Sequence, residues 1–263
     1  MNIKVFDVEP QIPESLAFLE ELARNMWWCW NRGAEDLFKR IDAGQWEACD
    51  RNPLLLLNTV SQERLYKLAE DKSFQTQLQE VQDLFRHDVR YGGADVGTHG
   101  QRDIAYFCLE YGIHESLRLY SGGLGILAGD YIKSASRENA SFLAVGLLYR
   151  NGYFRQYLDE DGWQQEYYTE NDVHKLPLWQ ARDAQGEQIS VSIPLPDAPL
   201  HAVVWVIWVG NIPLYLLDTN IPENPPEFRG VTDTLYGGDK TNRLRQELLL
   251  SVGGYRALTT MGY

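Results

Sequence analysis

Five consecutive residues, Ser121-Gly122-Gly123-Leu124-Gly125, carry the densest chemical signal in the sequence. Glycines so closely spaced permit positive φ and let other atoms come up against the backbone. Residues 126–139 behind them read as a helix, whose first amides lack intrahelical partners and carry partial positive charge. Such amides suit an anion or a sugar oxygen. A tight strand-to-helix turn without a ligand is the plainer reading of the same residues. Two nucleotide patterns are disfavoured. No GxxxxGK[ST] run occurs, and Gly123, Gly125 and Ala128 meet only the loose GxGxxA form. The following strand ends at Tyr149-Arg150, without the carboxylate that would hold a ribose.

Glu110 and His114 lie just upstream, in LEYGIHES, where a carboxylate and an imidazole could bind sugar hydroxyls or move protons. A structural hydrogen bond is the competing role for His114. Glu115, Asp130 and Lys133 are near in sequence, the last two better explained as solvated helix surface. No GxSxG or Ser/His/Asp order is present. The acidic run Asp159-Glu160-Asp161 precedes Gly162 and reads as a solvated hairpin turn, not a metal site. Arg243 and Arg245, two apart on a helical stretch, point to different faces.

These residues need elements to place them. Residues 14–90 have helical spacing, with Pro13 and Glu14 suited to a helix start and a turn at Asn52-Pro53. A glycine-rich linker is expected over 90–101. The apolar runs IAYFCL (104–109) and FLAVGLLY (142–149) read as strands buried on both faces. With the glycine loop and helix between them they make a βαβ unit and a parallel sheet. Two hairpins follow, one with turn signals at Asn151-Gly152 and Asp161-Gly162, the other around Gly210-Asn211. The last stretch returns to helical spacing, with Leu244, Leu248, Leu249 and Val252 on one side.

Composition narrows the partners. The chain of 263 residues has 24 basic and 37 acidic residues, a formal charge of −13. That balance argues against nucleic acid and anionic membrane, while a neutral glucan is indifferent to it. Cys29, Cys49 and Cys108 form neither a zinc pattern nor an even disulfide framework. The N-terminus has no signal-peptide core, and the apolar stretch 201–217 is broken by Gly210-Asn211, so a cytoplasmic protein is expected. Eight Trp and fifteen Tyr suggest sugar stacking, with core packing as the commoner use.

Several long segments in order resemble α-glucan phosphorylases, in particular the bacterial and archaeal branch with an extra helical N-terminal region. They are 105–136 (AYFCLEYGIHESLRLYSGGLGILAGDYIKSAS), 145–156, 163–168, 213–220 and 235–258, with LEELARNMWWCWN (19–31) at the front. The resemblance implies a helical region over 1–95. It places an incomplete first Rossmann-like domain of a GT-B glycosyltransferase fold, decorated by β-hairpins, over 96–263. It implies retaining phosphorolysis of glycogen or maltodextrin to glucose 1-phosphate, with α-1,4-glucan and phosphate as partners and homo-oligomers as a further expectation. Pyridoxal phosphate is the family's cofactor, its lysine expected in a second domain that this chain lacks. Gly122, Gly123 and Leu124, flanked by Ser121 and Gly125, match the glycine-loop positions that face phosphate and glucosyl unit. Glu110 matches a glutamate at the sugar site and His114 falls near it. Ser121 departs from the asparagine of animal phosphorylases. No catalytic residue is assigned within these residues, which alone are expected to be inactive. A glycogen or starch synthase shares the fold, but its loop lies close to the N-terminus and follows a lysine. A non-catalytic glucan-binding relic is the other alternative.

Overall fold

The computed structural model describes residues 9–89, 104–168, 170–183 and 185–263. They group into two compact units, Met1–Val89 and Arg90–Tyr263. The linker expected over 90–101 lies outside the described residues, as do residues 1–8 of the N-terminus.

The first unit is helical: α1 Phe18–Ala23, α2 Arg32–Ile41, α3 Ala43–Ala48, α4 Pro53–Thr59, α5 Gln62–Glu70 and α6 Lys72–Asp88. Side chains of Asn31, Asp42, Asn52, Ser61 and Asp71 accept first-turn amides of the helices they precede. Each cap satisfies donors that a helix start leaves unpaired. The turn expected at Asn52-Pro53 is such a start, with Asn52 as cap and Pro53 in the first turn, where its missing N–H costs nothing. Trp27, Trp28, Phe38, Trp46 and Phe85 are buried and pack edge-to-face or stacked, and buried Phe74 lies under the Arg40 guanidinium. Here the aromatic residues serve the core.

The second unit is mixed α/β. It comprises β1 Ile104–Phe107, α7 Gly123–Arg137, β2 Phe142–Leu147, β3 Arg155–Leu158, β4 Gln164–Tyr167, β5 Trp179–Gln180 and β6 Ser190–Ile193. It continues with β7 Leu200–Val209, β8 Ile212–Asp218, α8 Pro226–Arg229, α9 Lys240–Leu248 and α10 Gly254–Thr260. The main sheet runs β1-β2-β8-β7-β5, with β6 also on β7. β1, β2 and β8 are parallel, while β7 is antiparallel to β8, β5 and β6. The sheet is therefore mixed, not wholly parallel, and the hairpin at Gly210-Asn211 supplies two of its central strands. Gly210 has φ 60°, the left-handed conformation that the two-residue turn requires.

β2 is buried throughout, as its apolar run predicts. β1 is not: Ile104 is 53% exposed. Among the described residues β1 pairs only with β2, so it is an edge strand with one side uncovered. The hairpin β3–β4 turns at Gly162, φ 81°. Asn151-Gly152 is no hairpin turn; a Cβ on Gly152 would meet Arg118 Cβ at 2.6 Å, so that glycine serves close packing. Between α9 and α10 the helix widens into a π turn, Leu249–Gly253. The expected apolar side is only partly met: Leu249 is buried, but Leu244 and Val252 are exposed, and Gln246 and Leu250 are buried.

Candidate functional site

Helix α7 starts at Gly123, three residues earlier than its sequence pattern suggests, so the glycine motif supplies its cap and first turn. Gly122 is the cap, with extended backbone at φ −150°. None of Gly122, Gly123 and Gly125 has positive φ. The conformational reason for three glycines therefore fails, and the steric one divides in two. A Cβ on Gly125 would lie 2.5 Å from Tyr120 Cβ and 2.8 Å from Glu110 Oε2. One on Gly129, a turn later, would lie 2.1 Å from the Gly112 carbonyl oxygen. These two glycines let α7 press against the segment leaving β1. Gly122 and Gly123 differ: a Cβ at either would meet nothing within 4 Å. Among the described residues neither backbone nor packing demands a glycine there.

The amides divide differently. Ser121 N and Gly122 N donate to Glu110 Oε2 at 2.9 and 3.2 Å. The helical ladder opens with Ile126 N on the Gly122 carbonyl, 3.2 Å. That leaves the first-turn amides of Gly123, Leu124 and Gly125 without an intrahelical acceptor. Gly122, Gly123 and Leu124 are exposed and Gly125 is buried.

Glu110, only 3% exposed, is fully engaged by the chain. Besides the two amides, Ser121 Oγ lies 3.5 Å from Oε2, and the Tyr236 hydroxyl donates to Oε1 at 2.6 Å. Burial pushes the carboxyl pKa up, but the donors together outweigh it and hold it below the ordinary value. Glu110 is thus a fixed anion that shapes the loop. The Arg243 guanidinium lies over the Tyr236 ring, 4.8 Å from its centroid. Tyr149, at the end of β2, donates to the Leu109 carbonyl at 2.8 Å and backs the same cluster.

His114 stands apart from these bonds. Its Nδ1 accepts from the Ser116 amide at 3.1 Å and lies 2.9 Å from Ser116 Oγ, a local turn. Asp159 accepts the Asp161 and Trp163 amides and closes the β3–β4 turn, as the solvated-turn reading requires. Among the described residues no group of three His, Cys, Asp or Glu could hold a metal, and no helix is long and apolar enough to cross a membrane. Tyr236 was not foreseen, because 126 residues separate it from Glu110. A cleft of about 400 Å³, lined by Tyr149, Arg150, Glu170, Asn171, Asp218 and Asn220 among others, opens beyond the carboxyl ends of β2 and β8.

The chain is 46% identical over 97% of its length to a glycogen phosphorylase of Mycobacterium tuberculosis. It is 39% identical over its whole length to a maltodextrin phosphorylase of Thermococcus litoralis. The chain belongs to the α-glucan phosphorylase family. It spans about a third of these relatives, 31% and 32% of their respective lengths. A glycogen phosphorylase of Aquifex aeolicus matches 93% of the chain at 34% identity. Residues 12–117 also match a family described as a protein of unknown function, DUF3417. In this phosphorylase-family chain that match runs from the helical unit to just short of the glycine motif.

Proposed function

We propose that the chain forms the glycine-loop wall of an α-1,4-glucan phosphorylase. Phosphate attacks the terminal α-1,4-linked glucose of glycogen or maltodextrin, the C1–O bond to the glucan breaks, and glucose 1-phosphate leaves with retained configuration. One observation carries this reading: Gly122 and Gly123 face space that none of the described residues fills, beside first-turn amides with no intrahelical acceptor. A glycine without conformational or packing need suits a ligand that touches the backbone. The amides of Gly123 and Leu124, held rigid by α7, would meet the phosphate and the charge that develops at the sugar. Ser121 and Gly125 shape the turn, Glu110 fixes it, and His114 borders the sugar side.

The parallel strands β1, β2 and β8, with a ligand loop beyond the carboxyl end of β1, support the first Rossmann-like domain of a GT-B fold over 96–263, after a helical region over 1–95. Among the described residues no lysine joins the hydrogen-bonded cluster at the loop. In this reading pyridoxal phosphate serves the enzyme, and we assign its Schiff-base lysine to the part of the enzyme outside this chain. The same reading carries a cytoplasmic location and a homo-oligomeric assembly, testable by fractionation and light scattering.

The deciding experiment is glucose 1-phosphate release from maltodextrin and inorganic phosphate by the native-length protein. Release that stops when pyridoxal phosphate is stripped supports the reading. No release from a folded, cofactor-loaded protein overturns it in favour of a nucleotide-sugar transferase or a glucan-binding relic.

A further inference from the structure

We propose that Tyr236 is a positioning residue that sets the glycine loop through Glu110 and ties it to helix α9. The inference rests on the phosphorylase reading of the loop for its catalytic meaning, although the bonds stand without it. Tyr236 donates to Glu110 Oε1 at 2.6 Å, and the other oxygen of that carboxylate receives Ser121 N at 2.9 Å and Gly122 N at 3.2 Å. Moving the phenol moves the carboxylate, and with it the two amides that precede the open cradle.

Tyr236 does not reach Glu110 by chance of sequence. Its φ is +56°, a conformation that an aromatic residue keeps only when its surroundings impose it. The surroundings come from α9. Gln246 Nε2 donates to the carbonyls of Val231 and Thr234 at 2.8 and 3.0 Å. Asn242 Nδ2 donates to the Gly237 carbonyl at 3.0 Å. Arg243 covers the ring. Three side chains of one helix thus grip the segment on both sides of Tyr236 and aim its hydroxyl at the carboxylate. A purely structural tyrosine needs only a buried ring; this one delivers a short, charge-assisted bond to a buried anion.

Among the described residues, Glu110 is the carboxylate that the Gly122 amide touches. Cys108, Tyr149 and Tyr236 are each pushed upward, first by burial. Arg243 stays cationic. The Gly122 amide therefore reports Glu110 directly.

The test compares wild type with Tyr236→Phe, which keeps the ring under Arg243 and removes only the hydroxyl. In this chain, the pH dependence of the ¹⁵N-glycine signal of Gly122 should show a higher midpoint in the variant, because a donor to the carboxylate has been lost. In the native-length enzyme, kcat should fall roughly tenfold while KM for glucan stays within about twofold. Should Tyr236→Phe not fold, replacing Tyr236 with 3-fluorotyrosine strengthens the donor and should lower the midpoint. An unmoved Gly122 midpoint in the folded variants overturns the proposal even where the wild type turns over glucan. A moved midpoint in a native-length protein that releases no glucose 1-phosphate upholds the clamp and removes the phosphorylase reading instead.

Discussion

Replacing Gly123 with alanine should separate stability from activity in opposite directions. Gly123 opens α7 without positive φ, and a Cβ there has nothing within 4 Å. The variant loses no contact and gains helix propensity, up to about 1 kcal/mol in a helix interior and less in the first turn. At roughly 2–4 °C per kcal/mol for a domain of this size, the melting temperature should stay level or rise by a few degrees. Gly125→Ala is the control. Its methyl would lie 2.5 Å from Tyr120 Cβ and 2.8 Å from Glu110 Oε2, an overpacking that costs about 1–3 kcal/mol. It should melt lower by roughly 2–12 °C. On the proposed reading, the Gly123 methyl would stand in the native-length enzyme where the substrate comes against the backbone. A clash of the same 1–3 kcal/mol should lower kcat/KM by roughly 5- to 150-fold. Thermal melts of both variants and initial rates of glucose 1-phosphate release settle the matter. Full turnover by a stable Gly123→Ala enzyme would refute the argument that the empty cradle is kept for a ligand.

Other expectations are simpler. Glu110 has a depressed folded pKa, so its clamp contributes fully above the unfolded value near 4.5 and is lost as pH falls through the folded value. The melting-temperature difference between wild type and Glu110→Gln should therefore be constant at neutral pH and shrink only below about pH 4.5. Tyr149→Phe leaves the half-buried Leu109 carbonyl without its 2.8 Å donor and should cost about 0.5–1.5 kcal/mol in denaturant titrations. Asn224→Ala removes the side chain that accepts His201 N and donates to His201 O and Thr219 O, and should cost as much or more by the same assay. In the helical unit, Asn52→Ala removes a cap from the Leu54 and Leu55 amides and should cost about 1 kcal/mol.

What the sequence revealed follows the range of the forces involved. Apolar runs and turn residues act over a few residues, so β2 and the β7–β8 hairpin were legible, while Asn52-Pro53 was read as a turn and not as the helix start it is. The fate of β1 depends on what lies beside it, and its apolar sequence could not show that it is an edge. The glycine motif was found, but its reason was misjudged: glycine spacing looks the same whether it serves positive φ, helix packing or open space. Only the neighbours of each missing Cβ separate Gly125 from Gly123. Tyr236 and Arg243 reach the site through tertiary contacts alone, and no spacing rule links residue 236 to residue 110.

The π turn Leu249–Gly253 makes the length of its segment a functional quantity. Before it, Gln246 and Arg243 grip the Tyr236 segment; after it, Gly254 lies where a Cβ would be 2.8 Å from both Phe107 and Val145 on the sheet. Removing one residue between those faces while the wide turn stayed wide would turn one relative to the other by about 100°. Either the grip on Tyr236 or the seat on the sheet would then face away. Substitutions along this helix can be judged one side chain at a time, but insertions and deletions cannot: here the count of residues is itself part of the specification, and drift in length should be rarer among functional variants than drift in composition.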